Sequence, residues 1–194
     1  MIRASIAWFG AIRSGYNPHM RVIGMAGWSG AGKTTLLAKM IPLLLGRGVS
    51  VSTVKHAHHA FDVDQPGKDS HVHRTAGATE VLVSSASRWA LVHELRSAPE
   101  PTLEELLRKL AAVDLVVVEG FKRGRHPKLE VYRAALGKPP LHPDDPHIVA
   151  VASDTPLAAA GVPVLALDDI DRIVDLVLAR AVPIERVIAS LETS

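Results

Sequence analysis

An α/β fold with a largely parallel sheet and helices on both faces is predicted by three observations. Short apolar runs alternate along the chain with segments of helical period. A glycine-rich loop separates the first apolar run from the first helical segment. A second apolar run, Asp114 to Glu119, ends on an acid where ligands gather in open α/β sheets.

Taken in order, Arg21 to Ala26 is apolar and leads into glycines, so it reads as the first strand. Thr34 to Leu45 reads as a helix that stops at Gly46-Arg47-Gly48, with Pro42 bending it or ending its regular part early. Val49 to Val54 is strand-like. Residues 55–69 form a polar loop, and Asp69 is placed to cap a short helix reaching Ala76. Glu80 to Ser84 and Trp89 to His93 read as two strands of a hairpin. Thr102 with Glu105 has capping-box spacing. Leu103, Leu106, Leu107 and Leu110 make one helical stripe after it. Leu129 to Tyr132, His147 to Ala152 and Pro163 to Leu167 read as strands, and the four prolines within 137–146 mark an irregular loop. Ile170, Ile173, Val174, Val177 and Leu178 mark a terminal amphipathic helix. Strand order is not encoded in these runs.

Composition narrows the function classes. The 194 residues fit one domain, read as 20–194, behind an extension at 1–19. Ala4 to Ile12 is faintly like a signal peptide but has no clear cleavage site, and Met20 can serve as an alternative start. Net charge is +2, which argues against a chain-wide nucleic-acid surface. No apolar stretch approaches the ~20 residues that span a bilayer. There are no cysteines, which excludes thiol chemistry and suits a reducing cytoplasm.

Gly27-Trp28-Ser29-Gly30-Ala31-Gly32-Lys33-Thr34 fits G-x-x-x-x-G-K-[ST] at every fixed position. Glycines let the backbone curl so that its N–H groups face phosphate oxygens, and the following helix adds its positive end. Lys33 reaches the β- and γ-phosphates as a point charge and is the first catalytic candidate. The nucleotide-binding candidates are Gly27, Gly30, Ala31, Gly32, Lys33, Thr34 and Thr35. Trp28 is a free position, better read as packing than as a phosphate contact. The Thr34 hydroxyl and the carboxylate of Glu119 are the Mg²⁺ candidates. Asp114, at the other end of the Glu119 strand, reads as structural. A P-loop nucleotide-binding fold follows.

Half of the ten histidines lie between His56 and His73. The loop offers Lys55, His56, His58, His59, Asp64, Lys68, Asp69, His71, His73 and Arg74. Three readings stand: an anionic substrate or partner, a nickel- or zinc-type metal, or a solvated loop. The H-x-H-H and H-x-H spacings are not those of a defined zinc site. Asp62 or Asp64 is a candidate to orient a water for phosphate hydrolysis. Asp154, after the His147–Ala152 strand, either reads a guanine base or caps the turn with Thr155-Pro156.

Three stretches together resemble the molybdopterin-guanine dinucleotide biosynthesis protein B family, MobB. They are G-W-S-G-A-G-K-T-T-L-L, then T-V-K-H-A-H-H-x-F-D-V-D-x-P-G-K-D-S-H-x-H-R-x-A-G-A, then D-L-V-V-V-E-G-F-K, running from Gly27 to Lys122. The resemblance implies a homodimeric GTP-binding adapter with weak GTPase activity. It would assist the guanylyltransferase that joins GMP to molybdopterin. It also implies phosphates on Gly30, Gly32, Lys33 and Thr34, Mg²⁺ on Thr34 and Glu119, and the 55–74 loop toward the pterin or the partner enzyme. The residues alone leave two alternatives. One is a small-molecule kinase whose lid arginines are Arg123 and Arg125 beside Lys122. The other is a GTPase metallochaperone using His58 and His59. For the dimer, Trp89–His93 and Leu129–Tyr132 are strands that can pair across subunits.

Overall fold

The computed structural model describes residues 19–57, 61–121, 124–157 and 160–192. The 1–18 part of the N-terminal extension, His58, His59, Lys122 and Arg123 lie outside them. By their contacts the residues form two compact units, one holding the sheet and one running from Ala57 to Thr102.

The sheet unit is the predicted α/β arrangement. Its first strands are β1 (Arg21–Ala26) and β2 (Val51–Lys55). Then come β5 (Leu115–Glu119), β6 (Lys128–Tyr132), β7 (Ile148–Ser153) and β8 (Val164–Ala166). They lie in the order β2-β5-β1-β6-β7-β8, every neighbour parallel. Alternation within each strand sends side chains to two faces. On one face Ile23, Met25, Leu115, Val117, Leu129 and Val131 pack with α1 (Lys33–Gly46) and α4 (Ile170–Arg180). On the other Val22, Val54, Val116 and Val118 pack with α3 (Leu103–Leu107) and α5 (Ile184–Glu192). Burial of each such side chain contributes about 1.5–3 kcal/mol. Asp114 is structural, as its position implies. Its Oδ2 accepts from the Ser50 amide and hydroxyl at 2.8 and 2.6 Å, joining the starts of β5 and β2.

Several local readings need correction. The α4 helix is not the last. Ala181 ends it, Val182–Pro183 forms a short antiparallel strand β9 against β1, and α5 follows, burying Ile184, Val187 and Ile188. Pro42 does not end α1, which runs on to Gly46. The carbonyl deprived of its donor belongs to Ala38, an exposed residue on the solvent side of the helix. Regular helix in α3 stops at Leu107, although Leu106 and Leu110 still pack on the core. Asp69 does not cap α2 (Asp69–Thr75). It is the first helical residue, and the capping position is Lys68.

A polar zone covers β6 on the α3/α5 side of the sheet. Lys128 and Glu130 are each 1% exposed. The Lys128 ammonium donates to the Gly124 carbonyl and to Asp145 Oδ2, the latter at 2.9 Å. Glu130 accepts from the Leu141 and His142 amides at 2.6 and 2.9 Å and lies 3.0 Å from His142 Nδ1. The proline-rich segment is thus the cover that buries this charged face.

His126 fills the remaining space between two glycines. A Cβ on Gly24 would lie 2.5 Å from its Nε2, and one on Gly124 would lie 2.6 Å from its Nδ1. Neither ring nitrogen has a hydrogen-bond partner among the described residues. Burial, with the Lys128 charge and His147 adding to it against Asp145, pushes its pKa down from 6.5 to about 4. The unfolded chain takes up this proton near pH 6.5, whereas the folded chain refuses it until about pH 4. Stability therefore falls as pH drops through that window, by about 3 kcal/mol at ~1.4 kcal/mol per pH unit. Urea unfolding of His126→Leu should lack this part of the acid loss. Parallel pH profiles for the two proteins would show that His126 is not held neutral.

Candidate functional site

The loop after β1 has the backbone that a phosphate cradle needs. Gly27, Gly30 and Gly32 have φ of 138°, 82° and 97°, a region side-chain-bearing residues avoid. Gly27 is further fixed by space, because a Cβ there would meet the Val131 carbonyl oxygen at 2.5 Å. Gly32 stands at the N-cap of α1, so the helix's amide ends and positive pole open onto the loop. The Lys33 ammonium folds back over the loop, donating to the carbonyls of Gly27 and Trp28 at 2.9 and 3.0 Å. Ala31 is buried, whereas Thr34 and Thr35 present exposed side chains at the helix start. Trp28 is anchored by its indole N–H, which donates to the Pro139 carbonyl at 2.8 Å.

Parallel register puts the second acid at the same sheet edge. Glu119 pairs with Met25, two residues before Gly27, and with Lys55 on the other side. Its side chain is 14% exposed, and Lys55 approaches it at 3.7 Å. The chain turns sharply after it. Gly120 has φ of 97°, and a Cβ there would strike that of His56 at 2.6 Å. Phe121 takes a φ of 46°, uncommon for an aromatic residue, and its ring sits 5.0 Å from that of His56. His56 of the polar loop is thus part of the turn that positions Glu119. Thr34 and Glu119 offer a hydroxyl and a carboxylate, the hard oxygen donors that suit Mg²⁺.

A cavity of about 270 Å³ lies beyond the loop at the ends of β7 and β8, lined by Lys39, Arg133, Ser153, Asp154, Ala166, Leu167 and Asp168. Arg133 links it to the phosphate loop. Its Nε donates to the Ala31 carbonyl at 3.0 Å, and its guanidinium packs against Gly32, where a Cβ would come within 3.3 Å. Its other side approaches Asp154 at 3.8 Å. Asp154 caps a turn, though not the one with Thr155-Pro156. Its Oδ1 accepts from the Ala134 amide at 3.1 Å, ahead of the 3-10 turn Ala134–Leu136. The Thr155 amide is bound instead by the Ser153 hydroxyl at 3.1 Å. Sequence reasoning missed Arg133, Lys39 and Asp168. Asp168 carried one usable signal, an acid directly after an apolar strand.

A profile described as "Molybdopterin guanine dinucleotide synthesis protein B" matches residues 22–154. The chain is 42% identical over 160 residues to the molybdopterin-guanine dinucleotide biosynthesis adapter protein of Escherichia coli, covering 81% of this chain and 91% of that one. The chain belongs to the MobB family. A Haemophilus influenzae protein of the same name is 41% identical over 144 residues, 73% of this chain and 79% of its own. A crystal structure titled molybdopterin-guanine biosynthesis protein B superposes with a TM-score of 0.65 at 27% identity, covering 81% of this chain and 97% of that one. A MobB homologue from Bacillus stearothermophilus gives 0.56 at 28% identity, over 81% and 95%. The phosphate loop, the strand-end acid and this membership make the chain a nucleotide-binding P-loop protein.

The MobB-family chain places the rest of its polar loop in the second unit. Arg74 dominates there, only 15% exposed, with Asp62 at 2.6 Å, Asp64 at 3.6 Å and Glu94 at 2.8 Å. Asp62 also accepts from the Asp64 amide at 2.9 Å. Arg74, Asp62 and Asp64 therefore hold the segment's own shape. Lys68, Asp69 and His73 are exposed, and His71 is half-buried. Among the described residues no three His, Asp or Glu side chains converge as a metal site. The hairpin of β3 (Glu80–Ser84) and β4 (Trp89–His93) forms as expected, with Leu82 opposite Leu91 and Ser84 opposite Trp89. No described helix is long and apolar enough to cross a membrane.

Proposed function

We propose that this chain is a cytoplasmic GTP-binding adapter with weak GTPase activity. It assists the guanylyltransferase that joins GMP to molybdopterin. The observation that carries the reading is the phosphate loop, with Lys33 folded inside it, linked through Arg133 to a cavity of base size with two acids on its rim. Family membership and the printed adapter names of the E. coli and H. influenzae relatives support the biosynthetic role.

In this reading the amides of residues 27–35 hold the phosphates, Lys33 offsets their charge, and the cavity takes the base. Mg²⁺ would be held by Thr34 and Glu119, where it would supply positive charge to offset that of the phosphates. The Asp62 carboxylate is already engaged by Arg74 and an amide, so Lys33 alone is assigned a part in slow hydrolysis. On the second unit, Lys68, His71 and His73 present polar heads to the pterin phosphate or the partner enzyme.

Calorimetric titration with GTP, GDP and ATP, each with Mg²⁺, tests the nucleotide. Guanine preference is expected, and equal or tighter ATP binding would move the reading to a kinase or general ATPase. Adding the chain to a guanylyltransferase reaction tests the adapter role, since no change in dinucleotide formation would remove it. Glu119→Gln should raise the Mg²⁺ concentration needed for half-maximal GTP binding about 10-fold, the ~1.4 kcal/mol of one charge-assisted contact. An unchanged Mg²⁺ dependence would free Glu119 of that role.

A homodimer through the hairpin is part of the proposal. Leu82, Trp89 and Leu91 share one face of β3–β4 at 62%, 69% and 47% exposure. The outer edges of the two strands carry no ladder partner among the described residues, an invitation to pair with another chain. The other candidate, Leu129–Tyr132, is excluded by position, because β6 is paired on both edges by β1 and β7. Sedimentation equilibrium should show a dimer for the wild type and a monomer for Leu82→Lys with Leu91→Lys. A dimer that survives both changes would place the interface elsewhere.

A further inference from the structure

We infer that Asp168, rather than Asp154, is the carboxylate that selects the base, and that Asp154 is a positioning residue acting through Arg133. This rests on the guanine-nucleotide reading above and assigns its specificity to a residue.

Both acids line the same cavity, but their carboxylates are differently engaged. Asp154 is held on one oxygen by the Ala134 amide at 3.1 Å, and its other oxygen faces Arg133 at 3.8 Å. Arg133 in turn holds the Ala31 carbonyl of the phosphate loop at 3.0 Å. This chain of contacts fixes the wall between loop and cavity, and it draws Asp154 toward that wall. Asp168 has no side-chain hydrogen bond or ion pair among the described residues, and its side chain is exposed at the cavity mouth. Its backbone is nonetheless set. The Asp168 carbonyl accepts from the Ile170 amide at 3.0 Å, and the next residue, Asp169, caps α4 through the Arg172 amide. A carboxylate without partners on a fixed backbone is what an incoming base can engage.

The chemistry of the rim favours guanine. Guanine carries two adjacent donors, N1–H and the C2 amino group, which one carboxylate accepts together. Its O6 is an acceptor, and Lys39, a cation, lines the same cavity. Adenine reverses both ends: its N1 would set a lone pair against the carboxylate, and its C6 amino group would face the ammonium. A site built on such pairs rejects the mismatched base because its own groups are left unmatched.

Xanthine separates the two acids. It replaces the C2 amino group by a carbonyl, which a carboxylate repels and to which an amide N–H₂ donates. Calorimetric titration of the full chain with GTP, XTP and ATP in the presence of Mg²⁺ would be run on wild type, Asp168→Asn and Asp154→Asn. A thermal melt of each would confirm folding. The expected result is that Asp168→Asn weakens GTP about 10- to 100-fold and strengthens XTP, inverting their order. Asp154→Asn should weaken all three nucleotides together and leave the GTP-to-XTP ratio unchanged. Inversion by Asp154→Asn and not by Asp168→Asn would overturn the assignment while leaving guanine recognition intact. A wild type that binds ATP as tightly as GTP would overturn the guanine reading itself, and the inference with it.

Discussion

Lys33→Ala should lower nucleotide affinity by about 3–4 kcal/mol, roughly a hundred- to a thousand-fold, without unfolding the chain. A hydrogen bond to a charged group is worth about 1.5–3 kcal/mol, and in the proposed site one ammonium would serve two phosphates. In the protein that ammonium is already inside the loop, held by the Gly27 and Trp28 carbonyls. The folded loop therefore survives on its glycines and on Arg133, while the charge that receives the phosphates is gone. Titration calorimetry with GTP and Mg²⁺ reads the effect, and a thermal melt shows whether the fold persists. Wild-type affinity in the variant would remove this loop as the phosphate site.

The second large effect is one of stability. Glu130→Ala should cost about 3–5 kcal/mol, the usual loss when one partner of a buried charged network is removed. Glu130 is buried and serves the Leu141 amide, the His142 amide and the His142 ring. Truncation leaves those donors buried without an acceptor, each a penalty of about 1–3 kcal/mol. Glu130→Gln keeps one acceptor oxygen and should lose less than half as much. Urea midpoints of the three proteins measure the series. A loss below about 1 kcal/mol for Glu130→Ala would mean that the covering segment opens and lets water take over the donors.

The two variants mark what was legible in the sequence and what was not. The phosphate loop could be read because its function rests on local backbone shape, and local shape is written in glycine spacing. Glu119 could be read because a strand-end acid has one place to go in a parallel sheet. The strands of the sheet were legible as apolar runs, although their order was not. Glu130 was not legible. Lys128-Leu-Glu-Val-Tyr alternates as a half-exposed strand does, and only the proline-rich cover, which looks irregular in sequence, turns its polar face into an interior one. Arg133 was hidden for a related reason. Its partner Ala31 is distant in sequence, and no local pattern announces such a contact. Asp154 was weighed as base reader or cap of the Thr155-Pro156 turn, and the hydrogen bond it makes with the Ala134 amide comes from a turn that only the fold brings near.

The position of the Ala57–Thr102 unit in the chain has a consequence for how such proteins diversify. Its two ends leave β2 and re-enter ahead of β5, and those strands are immediate neighbours in the sheet. The excursion between them can lengthen, shrink or change sequence while every ladder of the sheet stays intact. Loop-closure entropy hardly resists this, since doubling such an excursion costs only about 0.6 kcal/mol. Changes within the segment therefore leave the loop between β1 and α1 and the acid at the end of β5 where they are.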